Sequence, residues 1–131
     1  MKIRAANAPV SWGIMEVEGW SPPLAYGQFL DELKAAGYEG TELGPYGYLP
    51  ADAGVLRAEL SRRSLALTSA FVPLPLKDPS VDLTPARKVG ELLRALGARY
   101  LVLADAMWPA REAVAGRVEE AGVLLSESDW R

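Results

Sequence analysis

Glu42 is the residue best placed for chemistry. It lies in Gly40-Thr41-Glu42-Leu43-Gly44-Pro45, where an apolar run is closing into a turn. A carboxylate there could accept a hydrogen bond from a hydroxyl-rich ligand or work as an acid or base. The plainer alternative is a capping or salt-bridged glutamate. Other polar and aromatic residues stand at comparable points. Asn7, Ser11 and Trp12 follow the first apolar run, Phe71 lies near the end of the third, and Asp105 and Trp108 follow the fourth. Trp12 and Trp108 could form apolar walls against a sugar ring or simply pack. Asn7 could contact a ligand or bond to backbone. Asp105 could bind a hydroxyl or cap the segment after it. Trp20 and Trp130 read as structural.

What is missing narrows the chemistry further. The 131 residues include no histidine and no cysteine. That removes the commonest general base and metal ligand, together with thiolate nucleophiles, disulfides and cysteine-bound zinc. Any catalysis must rest on carboxylates, lysine or tyrosine. No cluster of residues has metal-ligand spacing, and Glu16 and Glu18 read as solvated loop carboxylates. There is no GxGxxG fingerprint and no P-loop, so a dinucleotide-binding domain is not expected. The net charge of −3 and scattered basic residues argue against a nucleic-acid surface. Neither a signal peptide nor an apolar run of membrane-spanning length is visible, so the expected location is the cytoplasm.

The elements that must position these residues alternate regularly. Strands are expected over residues 3–10, 38–43, 65–72 and 99–104. Helices are expected from Ser21 to about Ala36, from about Asp52 to Arg63, and from Thr84 to Leu96. Ser21 with Pro22-Pro23, and Thr84 with Pro85, carry the cap-then-proline signature of a helix start. Gly37 and Gly97 mark helix ends. Leu30, Leu33 and Ala36 with Phe29 form one apolar stripe; Val55, Leu56 and Leu60 form a second, and Val89, Leu92, Leu93 and Leu96 a third. Residues 110–124 fit a short helix or an ordered loop, and the last seven residues resemble the start of another helix.

This β-α-β-α-β-α-β order predicts an α/β fold with parallel strands and right-handed crossovers. Two architectures compete, a doubly wound open sheet and half of a (β/α)₈ TIM barrel. In either one ligands bind at the carboxyl ends of the strands, where Glu42 and its companions stand. The expected organisation is one domain, residues 1–131, holding strands 1–4, helices 1–3 and the start of helix 4.

Ala6-Asn7-Ala8-Pro9-Val10-Ser11-Trp12-Gly13, followed by Glu16-Val17-Glu18-Gly19-Trp20, resembles the opening of inosose dehydratase-like proteins. Those are xylose-isomerase-like TIM barrels of the sugar phosphate isomerase/epimerase superfamily. Gly40 to Pro45, then Gly47-Tyr48-Leu49-Pro50, looks like the second-strand motif of that group, and Tyr100 to Asp105 is similar to its fourth strand. The resemblance implies the N-terminal half of a sugar or inositol isomerase, epimerase or dehydratase. In such enzymes a divalent metal, Mn²⁺, Co²⁺ or Mg²⁺, polarises the substrate oxygens. Its ligands, two glutamates, an aspartate and a histidine, belong to later strands, so no metal ligand carries over to this chain. Glu42, Trp12 and Asn7 match first-half positions that would face the substrate. The expected partners are a small sugar or inositol and either a second copy or the missing half. The chain alone is then expected to be inactive. The alternative is a non-catalytic, self-associating α/β module with a vestigial carbohydrate-binding mouth.

Overall fold

Parallel pairing in chain order decides the architecture. The computed structural model describes residues 3–15, 24–114, 117 and 126–127. Strands β1 (Ala6–Asn7), β2 (Gly40–Glu42), β3 (Ala66–Leu74) and β4 (Tyr100–Asp105) form one sheet in the order β1-β2-β3-β4, every pair parallel. A doubly wound sheet would reverse direction at a switch point. This sheet has no reversal, and it is the arrangement of half a (β/α)₈ barrel. Helices α1 (Tyr26–Ala35), α2 (Ala53–Ser61) and α3 (Thr84–Leu96) make the three crossovers.

Right-handed crossovers between sequential strands place their helices on the same side of the sheet. Among the described residues the hydrophobic core lies on that side. Phe29, Leu30 and Leu33 of α1, Leu56 and Leu60 of α2, and Val89, Leu92 and Leu93 of α3 are buried against Leu67, Ala70, Val72 and Leu74 of β3. Each fully buried leucine contributes about 1.5–3 kcal/mol of transfer free energy. The other face of the sheet is open: Ala66, Phe71, Pro73, Tyr100 and Val102 are exposed. On β4 even the helix-side residues Leu101 and Leu103 remain exposed, because α3 reaches only part of that strand.

Several expectations about boundaries need correction. The first strand is two residues long, not eight. Pro9, which has no N–H to give a ladder, opens a 3₁₀ turn over Pro9–Trp12 instead. That turn rests on the end of β2 at Gly44. Gly44 has φ +66°, and a Cβ there would lie 2.7 Å from the Pro9 ring. The first helix begins at Tyr26 after an extended Ala25, later than expected. The Ser21 cap and Pro22-Pro23 fall outside the described residues, as do Glu16, Glu18, Gly19, Trp20 and Trp130. Ala36 and Val55, expected on apolar stripes, are exposed. Leu83, not Thr84, occupies the N-cap of α3; the Asp82 carboxylate accepts the Thr84 N–H at 2.8 Å. Beyond Trp108 a short helix, α4, covers Pro109–Glu112.

The third strand runs through Pro73 to Leu74 where a stop before the proline was expected. Leu43 N–H bonds to the Ser69 carbonyl and Ala106 N–H to the Leu74 carbonyl. Backbone groups of odd-numbered residues here therefore face β2, and those of even-numbered residues face β4. Pro73 turns its missing N–H toward β2, which has already ended at Glu42, so no ladder bond is lost.

Arg63, just past α2, ties α1 to α2. Its side chain is buried and donates to Asp31 Oδ1 at 2.6 Å, Glu59 Oε2 at 2.8 Å and the Gly27 carbonyl at 3.1 Å. Hydrogen bonds from Arg63 are the main reason that both carboxylates are held below their ordinary values. Depressed carboxylates stabilise the fold in full above about pH 5 and lose that contribution as pH falls below about 4. Arg63→Met is expected to lower Tm by about 5 °C at pH 7. The gap to the parent should narrow progressively below about pH 4. Thermal melts of both proteins across pH 2–8 check this.

Candidate functional site

A β-bulge builds the candidate site. Thr41 pairs with Leu67, but Glu42 pairs with Ser69, so Thr68 is the extra residue between them. Leu65 and Leu67 are buried on the helix side before the bulge, and Ala70, Val72 and Leu74 after it. The parity of β3 therefore switches at Thr68-Ser69, and both hydroxyls come to the open face. Bulges commonly re-aim a side chain next to a functional site.

Glu42 is half-buried at the carboxyl end of β2. Parallel partners share a face, which places it with Ser69 and Gly40 on the open face. The Ser69 hydroxyl donates to Glu42 Oε1 at 2.9 Å. Thr68 Oγ1 donates to the Thr41 carbonyl at 3.0 Å and lies 3.2 Å from Ser69 Oγ. Gly40 keeps the floor of this face narrow. A Cβ there would come 2.9 Å from the Ala66 carbonyl oxygen. The result is a carboxylate held by the Ser69 hydroxyl, with Thr68 behind it, on the face opposite α1, α2 and α3. It can accept hydrogen bonds from a polyol or exchange a proton with one.

The other sequence candidates stand at the same end of the sheet but are engaged locally. Asn7 pairs with the buried, helix-side Thr41. Its Oδ1 accepts from the Ser11 hydroxyl and from Ala8 N–H, both at 2.8 Å, and so braces the 3₁₀ turn. Trp12 turns toward α1: its ring meets Phe29 edge-on at 4.9 Å and its Nε1–H donates to Glu32 Oε2 at 2.8 Å. Hydrogen bonds from Gln28 first and Trp12 second hold Glu32 below the ordinary carboxylate range. Asp105 pairs with the buried Leu74 and accepts from Leu76 N–H at 3.0 Å, joining the loops after β3 and β4. Trp108 carries the Lys77 ammonium 4.1 Å from its ring centroid, a cation–π contact between the same two loops. Phe71 lies on the open face beside Val102 and also lines a cavity of about 310 Å³ with Gly44, Tyr46, Pro73 and Lys88.

Sequence reasoning missed Ser69 and Thr68. The available signal was two adjacent hydroxyl residues within an otherwise apolar strand; only the pairing register shows that both face Glu42. Among the described residues no group of three His, Cys, Asp or Glu side chains could hold a metal ion. The described partner of Glu42 is the neutral Ser69 hydroxyl, so the residues described do not by themselves fit a divalent cation. No helix among the described residues is long and apolar enough to cross a membrane.

Comparison with known proteins adds to this geometry. No protein-family model matches the chain. It is similar to an inosose dehydratase of Lacticaseibacillus casei, 31% identical over 80% of this chain and 35% of that protein. It is 37% identical to the rhizopine catabolism protein MocC of Rhizobium meliloti, over 80% of this chain and 32% of that protein. An inosose dehydratase of Geobacillus kaustophilus is 28% identical over 97% of this chain and 42% of its own length. The chain thus spans between about a third and two-fifths of the length of these curated relatives.

The bonds made by Asn7 and Asp105 have an energetic consequence. Asn7→Ala and Asp105→Ala are each expected to lower unfolding free energy by about 1 kcal/mol, the usual worth of a cap or of one such hydrogen bond. Urea denaturation of the two variants against the parent measures it.

Proposed function

We propose that this chain, inosose dehydratase-like in sequence, forms one wall of a sugar- or inositol-processing barrel enzyme and contributes Glu42 to the binding of a keto-inositol or related polyol. The observation that carries this reading is the Glu42 carboxylate on the open face at the carboxyl end of a parallel strand, held by a neutral hydroxyl. The similarity to inosose dehydratases supports the substrate class. Glu42 would accept a hydrogen bond from a ring hydroxyl, and with Ser69 beside it could also receive a proton from one. Phe71 and Val102 would supply apolar surface on the same face, and Trp108 with Lys77 would edge the mouth. Trp12, Asn7 and Asp105 would serve the site by fixing the loops around it.

Metal chemistry of the kind that polarises a carbonyl next to a transferable proton needs ligands that the described residues lack. In this reading those ligands come from polypeptide other than the residues described, and the chain on its own does not turn over substrate. The exposed Tyr100, Leu101, Val102 and Leu103 of β4 support a covering partner, either further barrel strands or a second copy of the chain.

Two measurements test the proposal. Glu42→Ala should weaken keto-inositol binding at least tenfold by calorimetry while unfolding free energy stays within about 1 kcal/mol of the parent. Equal affinity in the two proteins would refute the role of Glu42. Light scattering coupled to size exclusion should give a mass above that of the 14.1 kDa monomer. A monomer at every concentration would count against a second copy as the partner of β4.

A further inference from the structure

We infer that Ser69 is a positioning residue for Glu42, and that the β3 bulge exists to bring it there. This rests on the proposed role of Glu42 in ligand binding and deepens it. In a regular ladder, continuing Thr41↔Leu67 by one step would set Glu42 opposite Thr68. The inserted residue sets it opposite Ser69 instead. A glutamate side chain at a strand end has three rotatable bonds, and ordering it has an entropic cost of about 1–2 kcal/mol. The bond from Ser69 Oγ to Glu42 Oε1, 2.9 Å long, meets that cost before a ligand arrives.

The chemistry of the partner matters as much as its position. Ser69 is 8% exposed, and its hydroxyl has two protein neighbours, Glu42 Oε1 and Thr68 Oγ1. Ionised Glu42 accepts a hydrogen bond from the Ser69 hydroxyl. Neutral Glu42 would donate to Ser69 Oγ, which could turn its own hydrogen to Thr68 Oγ1, 3.2 Å away. Thr68 would keep donating to the Thr41 carbonyl. The hydroxyl pair can thus satisfy both forms of the carboxyl without moving a heavy atom. A lysine or arginine partner has no acceptor and would favour the ionised form only. A two-way partner suits a carboxyl that both gives and takes a proton.

The test compares the parent chain with Ser69→Ala and Ser69→Thr, the second restoring a hydroxyl. The first readout needs no ligand: three-bond NMR couplings about the Glu42 side-chain torsions. The parent should show the couplings of one rotamer, Ser69→Ala averaged couplings, and Ser69→Thr parent-like ones. The second readout is keto-inositol affinity by calorimetry, expected to fall about fivefold in Ser69→Ala, the worth of roughly one hydrogen bond, and to recover in Ser69→Thr. Amide spectra of each variant establish that the fold is retained. If Ser69→Thr is too bulky to fold, Ser69→Cys replaces it, and its weak donor should give intermediate couplings. Unchanged Glu42 couplings in a folded Ser69→Ala would overturn the inference. Averaged couplings with no keto-inositol binding by any form would uphold the positioning role and count instead against the proposed function.

Discussion

The structure depends on a constraint of handedness. Parallel strands in chain order, joined by right-handed crossovers, must have their helices on one side. The apolar stripes of α1, α2 and α3 therefore pack on the same face of the sheet, and among the described residues no helix buries the opposite face. This asymmetry separates two kinds of position along each strand. Helix-side residues such as Leu67, Val72 and Leu74 hold the fold together. Open-face residues such as Glu42, Phe71 and Val102 are free of that duty and available for a ligand or a partner surface.

The bulge in β3 is the point at which the two faces are locally exchanged. Without the extra residue, strict alternation could not direct both Thr68 and Ser69 to the open face while keeping Leu67 and Ala70 buried behind them. The same irregularity supplies Glu42 with a neutral hydrogen-bond partner where most glutamates in a protein would meet solvent or a cation. A hydroxyl can both donate to and accept from a carboxyl, whereas a lysine or arginine partner can only donate.

The contrast with Arg63 is instructive. Its guanidinium gathers Asp31, Glu59 and a carbonyl of α1 on the helix side. It holds those carboxylates ionised and locks two helices in register, a structural use of the same functional groups. Around the mouth, the bonds of Asn7, Trp12 and Asp105 are also structural: they fix the loops that follow β1, β3 and β4 relative to α1 and to one another. Glu42 is set apart from these carboxylates because its bond from Ser69 joins neighbouring strands on the face that the helices leave uncovered.

By itself the sequence determined the alternation of strands and helices, most of the apolar stripes and the place of Glu42 at a strand end, because these depend on local periodicity and on where an apolar run ends. It also showed that these 131 residues themselves supply no histidine and no cysteine. Only the tertiary structure decided between an open doubly wound sheet and half a barrel, since strand order is a relation between distant segments. It also decided that Pro73 continues a strand, because its missing N–H matters only if a neighbouring strand is there to require it. Trp12 and Asn7 look like ligand contacts in sequence, but the folded chain gives Trp12 a partner on α1 and Asn7 a partner in the 3₁₀ turn. Ser69 became visible last, because one inserted residue in a ladder reverses the facing of all that follow, and no local pattern records which strand position lies opposite.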